Sequence, residues 1–275
     1  MRKIFSIALV WLISSTMLQA QFYEFGLGGG GTMFHGDVGA VGFNATGANG
    51  FVPHQAFGTA TLRRQFNWHW GTRLSYSAGH LQASDSWSTD DFKQNRDISV
   101  RTEVAEISYL TEFNFWPYGT GTKYRQSFYI FAGLGITAYN PQGFWQEEWV
   151  DLRPLGTEGQ QTELKDQLFY GNTTITLPFG MGFRQSIARD WSMTAEVGWR
   201  RYGSDYLDDT SGDYVDATEL LELRGEQAAY FSNPGNVAYV PGVARGNANI
   251  RDWSIFAGIT IFYNLSPRDE RCSAF

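Results

Sequence analysis

The sequence predicts an all-β protein: an eight-stranded antiparallel transmembrane outer-membrane β-barrel with long extracellular loops and one short loop helix. Three observations predict it. Eight segments alternate apolar and polar side chains with period two, the connections between them alternate short and long, and aromatic residues (16%) and 31 glycines accompany a mildly negative mean hydropathy. A barrel wall turns only every second residue to lipid, so a hydropathy average conceals it. Helical spans need about 20 consecutive apolar residues, and no stretch beyond the N-terminal leader approaches that length.

The chain opens with Arg2 and Lys3, an apolar run from Ile4 to Ile13, and small or polar residues ending at Ala20. That order reads as a secretory signal peptide over residues 1–20, with a barrel domain over residues 21–275. Removing Arg2 and Lys3, with no acid lost, takes the formal charge from -7 to -9. So acidic a chain argues against nucleic acid as a partner and against a polybasic membrane anchor. Cys272 is the sole thiol, which leaves no internal disulfide.

The segments follow in order. The first, Phe22 to Thr32, sets Tyr23, Phe25 and Leu27 against Glu24, Gly26 and Gly28; the second, Ala56 to Arg64, sets Gly58, Ala60 and Leu62 against Thr59, Thr61 and Arg63. The third, Trp68 to Leu81, opposes Trp70, Leu74 and Tyr76 to Gly71, Arg73, Ser75 and Ser77. The fourth, Thr102 to Trp116, is the clearest, with Ala105, Ile107, Tyr109, Thr111 and Phe113 opposite Glu106, Ser108, Leu110, Glu112 and Asn114. The fifth, Gln126 to Tyr139, turns out Phe128, Ile130, Leu134 and Ile136, and the sixth, Thr173 to Arg184, turns out Ile175, Leu177, Phe179, Met181 and Phe183. The seventh, Trp191 to Tyr202, and the eighth, Trp253 to Leu265, complete the set with Met193, Val197, Ile255, Ile259 and Ile261 outward.

Short turns fall near Gln65 to Asn67, Pro117 to Arg125 and Gln185 to Asp190, while long connections run over Met33 to Gln55, Gln82 to Arg101, Asn140 to Asn172 and Gly203 to Asp252. Outer-membrane barrels pair short periplasmic turns with long extracellular loops, which puts both chain ends in the periplasm. Trp68, Trp70, Trp116, Tyr118, Tyr124 and Trp191 around the short turns, and Tyr139, Trp199, Tyr202 and Trp253 beside the long loops, are expected to form two interfacial girdles. A water-soluble β-sandwich is the competing architecture.

Eight strands enclose a lumen that side chains fill. The inward charges by parity are Glu24, Glu106, Glu112 and Glu196 against Arg63, Arg73, Arg184 and Arg200. They balance, so a structural ion-pair network is expected. Gly26, Gly28 and Gly31 match G-x-G-x-x-G, yet a loop rather than a helix follows, so they read as small residues on a strand. His35, His54, His69 and His80 lack ligand spacing, and Ser77 and His80 fall on opposite faces, so no catalytic, cofactor or zinc site is expected. Asp208, Asp209, Asp213 and Asp216 form a weak calcium candidate whose spacing departs from the EF-hand loop. Asp216 followed by Glu219 reads as the N-terminus of a short helix through Leu220, Leu221 and Leu223.

The loops resemble those of the PorG-like outer-membrane barrels of the type IX secretion system in Bacteroidetes. The resemblance rests on F-H-G-D at Phe34 to Asp37, P-L-G-T-E-G-Q at Pro154 to Gln160, D-Y-L-D-D-T-S-G-D-Y-V-D at Asp205 to Asp216 and R-G-N at Arg245 to Asn247. Its motif residues are Gly36, Asp37, Gly156, Thr157, Glu158, Gly159, Leu207, Asp208, Asp209, Arg245 and Gly246, and the tail with Cys272 and Phe275 is similar as well. The resemblance implies a non-enzymatic component of the secretion machine, surrounded by outer-membrane lipid, that meets a periplasmic ring of PorK and PorN. Candidate contacts are Tyr118 to Tyr124, Ser186 to Asp190 and Ser266 to Phe275. A general small barrel for envelope stability or adhesion is the alternative, and an enzyme acting on lipid A a more distant one.

Overall fold

The computed structural model describes residues 22–39, 55–119 and 125–265; the leader, His54, Tyr124, Cys272 and Phe275 lie outside the described residues. Among the described residues nine strands occur in order: β1 Phe22–His35, β2 Gln55–Gln65, β3 Trp70–Ser84, β4 Ser99–Asn114, β5 Gln126–Trp145, β6 Glu148–Asp151, β7 Thr173–Ser186, β8 Trp191–Tyr202 and β9 Trp253–Asn264. Eight of them pair antiparallel with both neighbours and close a ring, β1 against β9 and β4 against β5. The remaining β6 pairs with the outer end of β5 alone.

The seventh sequence segment coincides with β8, but β1, β3 and β5 run further toward the long loops than the alternation suggests, to His35, Ser84 and Trp145. Beyond the lipid edge both faces of a strand meet water or loop, so backbone pairing continues after the apolar alternation has stopped. The β5–β6 turn uses Gln146 and Glu147 at φ 46° and 73°, the left-handed pair of a tight hairpin. Neither residue is the Asn or Gly that signals such a turn.

The outer wall is apolar all round. Leu27, Leu134, Ile136 and Ile175 are 60–65% exposed, and Leu62, Leu74, Ile107, Met181, Ile259 and Ile261 extend the belt to nearly every strand. A soluble sandwich buries such residues, so the belt identifies a lipid-facing wall. At the short-turn end Trp68, Trp70, Trp116 and Trp191 are exposed, as an interfacial girdle requires.

Three expected girdle members turn inward instead. Tyr118 is buried with its hydroxyl on Ser186, and Tyr139 and Tyr202 are buried under the loops. Parity decides this: Tyr139 shares its face with Thr137 and Tyr202 with Arg200, both inward. Trp199 and Trp253 do face out, flanking Phe179 at 6.0 and 6.1 Å.

Among the described residues the single expected loop helix is one of three α-helices. Helix α2, Ala217–Arg224, starts where Asp216 accepts from the amides of Thr218 and Glu219 at 2.8 and 3.2 Å. The other two, α1 at Asp91–Arg96 and α3 at Glu226–Ser232, span about two turns each. Elements that short show no apolar periodicity to read.

All eight inward charges meet in the lumen. Glu112 is the hub, with Arg63 Nε at 3.0 Å, Arg73 Nη1 at 3.1 Å and Arg184 Nη2 hydrogen-bonded to it. Arg63 also pairs with Glu24 at 3.1 Å, where Ser192 donates a further bond, and Arg73 bonds Glu196, which Tyr129 also donates to. Higher up, Arg200 pairs with Glu106 at 3.2 Å. Guanidinium faces stack on inward rings, Arg63 over Phe262 at 3.7 Å and Arg200 over Phe256 at 3.6 Å. Gly26 makes room for the Phe262 ring, since a side chain there would overlap it.

Removing the hub leaves three buried arginines short of a counter-charge. Glu112→Ala is therefore expected to cost roughly 3–5 kcal/mol of stability. The temperature at which the compact band converts to the slower unfolded band on a gel should fall, and an unchanged conversion temperature contradicts the hub.

Candidate functional site

The described parts of the long connections fold into one cap over the barrel mouth. Its apolar layer draws Val38 from the first loop, Ile98 and Val100 from the second, Leu152 from the third and Phe231 from the fourth. Beneath it Leu81, Val104, Tyr139, Tyr202, Leu207 and Phe256 close the mouth. Burying this much loop backbone requires polar partners, because an unpaired buried amide or carbonyl costs as much as a lost hydrogen bond.

Two arginines supply many of them. Arg245 donates to the carbonyls of Asp209 and Phe231 at 2.6 and 3.1 Å and pairs with Glu158 at 3.3 Å. Arg96 grips Asp85 with two bonds at 2.7 and 2.8 Å and reaches the carbonyls of Asp37 and Arg245. Glu158 in turn accepts from the amides of Ser211 and Gly212, both at 2.9 Å. Such two-pronged, charge-assisted bonds fix orientation as well as energy. Thr157 and Tyr170 donate to Asp209 at 2.5 and 2.6 Å, holding its backbone at a left-handed φ of 56°.

Every motif residue of the four loop sequences lies in this cap. Gly156 and Gly159 adopt φ of 63° and 77°, a backbone that disfavours any side chain. Gly246 packs on Ser211 and the Asp37 carboxylate with no space for a Cβ, and Gly36 lies against Asp252. Asp37 accepts from Asn247 N at 2.6 Å, Asp208 from Val38 N at 3.0 Å, and Asp252 from Leu207 N at 3.0 Å. Sequence reasoning missed Asp85, Lys93, Arg96, Tyr170 and Asp252. The one available signal was Asp90, which caps α1 through Phe92 N at 2.8 Å and so orients Arg96.

Five aspartates with raised proton affinity thus share the cap interior, Asp37, Asp205, Asp208, Asp209 and Asp252. Burial pushes Asp208 up to about 8, with the neighbouring Asp37 charge adding to it, and Asp205 up to about 7. Burial likewise holds Asp252 well above the usual carboxylate range, helped by Asp208 and Asp205, and raises Asp37. Asp209 is raised by burial to about 6 against the opposing pull of Arg245.

The calcium candidate is dispersed. Asp208 and Asp209 are buried on the partners above, Asp213 is exposed beside its bridge to Ala244, and Asp216 caps α2. Among the described residues no group of three or more His, Cys, Asp or Glu has a metal-binding arrangement. Ser77 bonds Thr59 inside the lumen at 3.1 Å, while His80 faces Glu103 at 3.6 Å on the outer side and His69 meets the Asn114 carbonyl at 2.7 Å. At the short-turn end a cavity of about 350 Å³ is lined in part by Phe22, Glu24, Tyr118 and Trp191 together with Ser186, Arg189 and Asp190. Residues 120–124 and 266–275, which complete the expected periplasmic contacts, lie outside the described residues.

A family model described as a domain of unknown function, DUF6089, matches residues 2–227. The chain belongs to the DUF6089 family. The match to DUF6089 takes in the Asp205 to Asp216 motif but stops before Arg245 and β9, the strand that closes the ring. No curated protein matches the chain. Solved structures similar to this DUF6089 barrel include Neisserial surface protein A, 8% identical, with 88% of this chain and 96% of that one covered and a TM-score of 0.42. Ail of Yersinia pestis is 9% identical over 90% of this chain and 100% of that one, TM-score 0.39. OprG of Pseudomonas aeruginosa is 9% identical over 90% and 97%, TM-score 0.39. The barrel itself is established by its own strand pairing.

Truncating Arg245 takes the guanidinium from Glu158, which keeps the Ser211 and Gly212 amides and Lys165, and leaves two loop carbonyls without their donor, all without altering the wall. Arg245→Ala is expected to weaken the cap by roughly 3–5 kcal/mol, read as new proteolytic cleavage within residues 203–252 of a barrel that still migrates as the compact form. Cleavage no faster than in the unaltered protein counts against the cap as one unit.

The carboxylates give the cap a pH dependence. Their folded values lie above the usual 3.8, so the folded cap binds protons more tightly than the open one. The stability they permit is complete below about pH 4 and is lost as pH rises through about 7 to 8. Hydrogen exchange in residues 205–212, corrected for intrinsic rate, should accelerate between about pH 4 and 8 and level off above, and Asp208→Asn should blunt that rise. Exchange that slows across the same window refutes the assignment.

Proposed function

We propose that this small transmembrane barrel of the outer-membrane kind is a non-enzymatic component of a type IX protein secretion system, anchoring a PorK- and PorN-like ring at its short-turn, periplasmic end. The observation that supports the reading is the convergence of the loop motifs. The eleven residues through which the chain resembles PorG-like barrels come from all but one of the long loops, yet they build a single cap, so the likeness is to a whole folded unit. The remaining loop joins that unit through Asp85 and Arg96.

The lumen favours an anchor over a conduit. Between Arg73, Glu196 and Arg200 the lumen keeps a cavity of about 40 Å³, room for a water molecule or two, so an export substrate does not thread this barrel. Ser77 and His80 on opposite sides of the wall give lipid A chemistry no support. The alternative role in envelope stability or adhesion is favoured by the ordered cap, which presents a fixed surface to the exterior.

Affinity capture of the tagged barrel from membranes in mild detergent, followed by crosslinking mass spectrometry, tests the proposal. Ring components should be recovered, with crosslinks to Ser186 to Asp190 and the tail. Recovery of no ring component, together with intact secretion and altered adhesion in a deletion strain, replaces it with the alternative.

A further inference from the structure

The outer face of the β5–β6 hairpin carries a feature that neither the sealed lumen nor the cap uses. Strand β5 keeps its even-numbered residues outward along its whole length, so Ile136 and Ala138 of the lipid belt are followed on the same face by Asn140, Gln142 and Phe144. Phe144 is 53% exposed and Trp149, its partner across the hairpin at 5.2 Å, is 39% exposed. With a rise of about 3.4 Å per residue and a tilt near 40°, Phe144 stands about 15 Å above Ala138. A phospholipid headgroup layer occupies only about 5–8 Å, so the aromatic pair lies beyond it.

Between belt and pair runs a row of planar polar groups. Asn140 and Gln142 both donate to Asp151 Oδ1 at 2.8 and 2.9 Å, and Arg101 donates to Gln142 at 2.9 Å while stacking over Trp149 at 3.9 Å. Amide, carboxylate and guanidinium ends together offer donors and acceptors in one line, which suits a ligand rich in hydroxyls. Aromatic rings offer a negative face to the slightly positive C–H side of a sugar ring. Phosphate is a poor match, since Asp151, Glu103 and Glu148 outnumber Arg101 there.

We infer that this face docks the saccharide portion of a glycolipid in the surrounding outer leaflet, with Trp149 and Phe144 as the packing surface and Arg101, Asn140, Gln142 and Asp151 as the row that meets sugar hydroxyls. The source is fixed by continuity: the face is the upward extension of the wall that already contacts lipid, so a glycolipid seated against the belt brings its sugars to this height. The inference goes beyond the export role, whose proposed partner meets the opposite end of the barrel.

The full mature barrel in micelles is titrated with lipopolysaccharide bearing core sugars and, separately, with lipid A alone. The double variant Phe144→Ala, Trp149→Ala should lose about tenfold in affinity for the sugar-bearing lipid and bind lipid A unchanged, while Trp149→Phe keeps most of the affinity. Equal binding by variant and unaltered protein, or an equal loss for both lipids, overturns the inference. Saturation-transfer NMR on the unaltered protein guards against a folding defect in the variants: transfer from aromatic protons to sugar-ring protons is expected, and its absence also overturns the inference.

Discussion

Closure of the backbone hydrogen-bond ring is the constraint from which the rest of this molecule follows. Lipid offers no partner to an amide or carbonyl, so a sheet that enters it must return to its own first strand. Here β1 meets β9 over Glu24 to His35, and no wall strand is left with a free edge in the belt. Closure at eight strands brings the inner faces so near that side chains must fill the lumen. Inner faces are also those that the period-two pattern leaves for polar residues. The arginine and glutamate network is therefore a consequence of closure: charges that cannot reach water must find each other, and Glu112 satisfies three arginines at once.

The cap repeats the same logic above the membrane with a different outcome. Its loops bury backbone far from any sheet, and Arg96 and Arg245 answer the resulting carbonyls. The carboxylates there are in excess of the cations, unlike the matched set in the lumen. The excess is relieved by protonation, which makes the cap sensitive to alkaline conditions that ordinary carboxylate chemistry would ignore.

Much of the wall was legible because parity is a strict code: one residue of slip would turn every Leu and Ile of a strand inward. That is why β8 was read to its ends and why all eight lumen charges could be named. Depth was less legible than parity. Nearness to strand ends suggests a girdle position for Tyr118, Tyr139 and Tyr202, yet the odd or even position of Tyr139 and Tyr202 already turns them inward, and Tyr118 sits in a turn that parity does not reach. In the cap, the glycines and acids of the motifs stood out, but the Asp85–Arg96 pair did not, since two charged residues eleven apart in a polar loop carry no sign that they are buried together. Helices α1 and α3 escaped for want of length, and the β5–β6 turn because Gln146 and Glu147 adopt a backbone usually given to Asn and Gly.

Between them the network and the cap fill the barrel and leave its surfaces as the accessible parts. A lumen cross-braced by ion pairs among β1, β2, β3, β4, β7 and β8 and closed above by the hydrogen-bonded cap leaves little open space within the barrel. The surfaces left accessible are the short-turn end with its cavity, the rim of the cap, and the strip of β5 that rises beyond the apolar belt. Closure, the lumen network and the cap together set the height and orientation of those surfaces relative to the apolar belt.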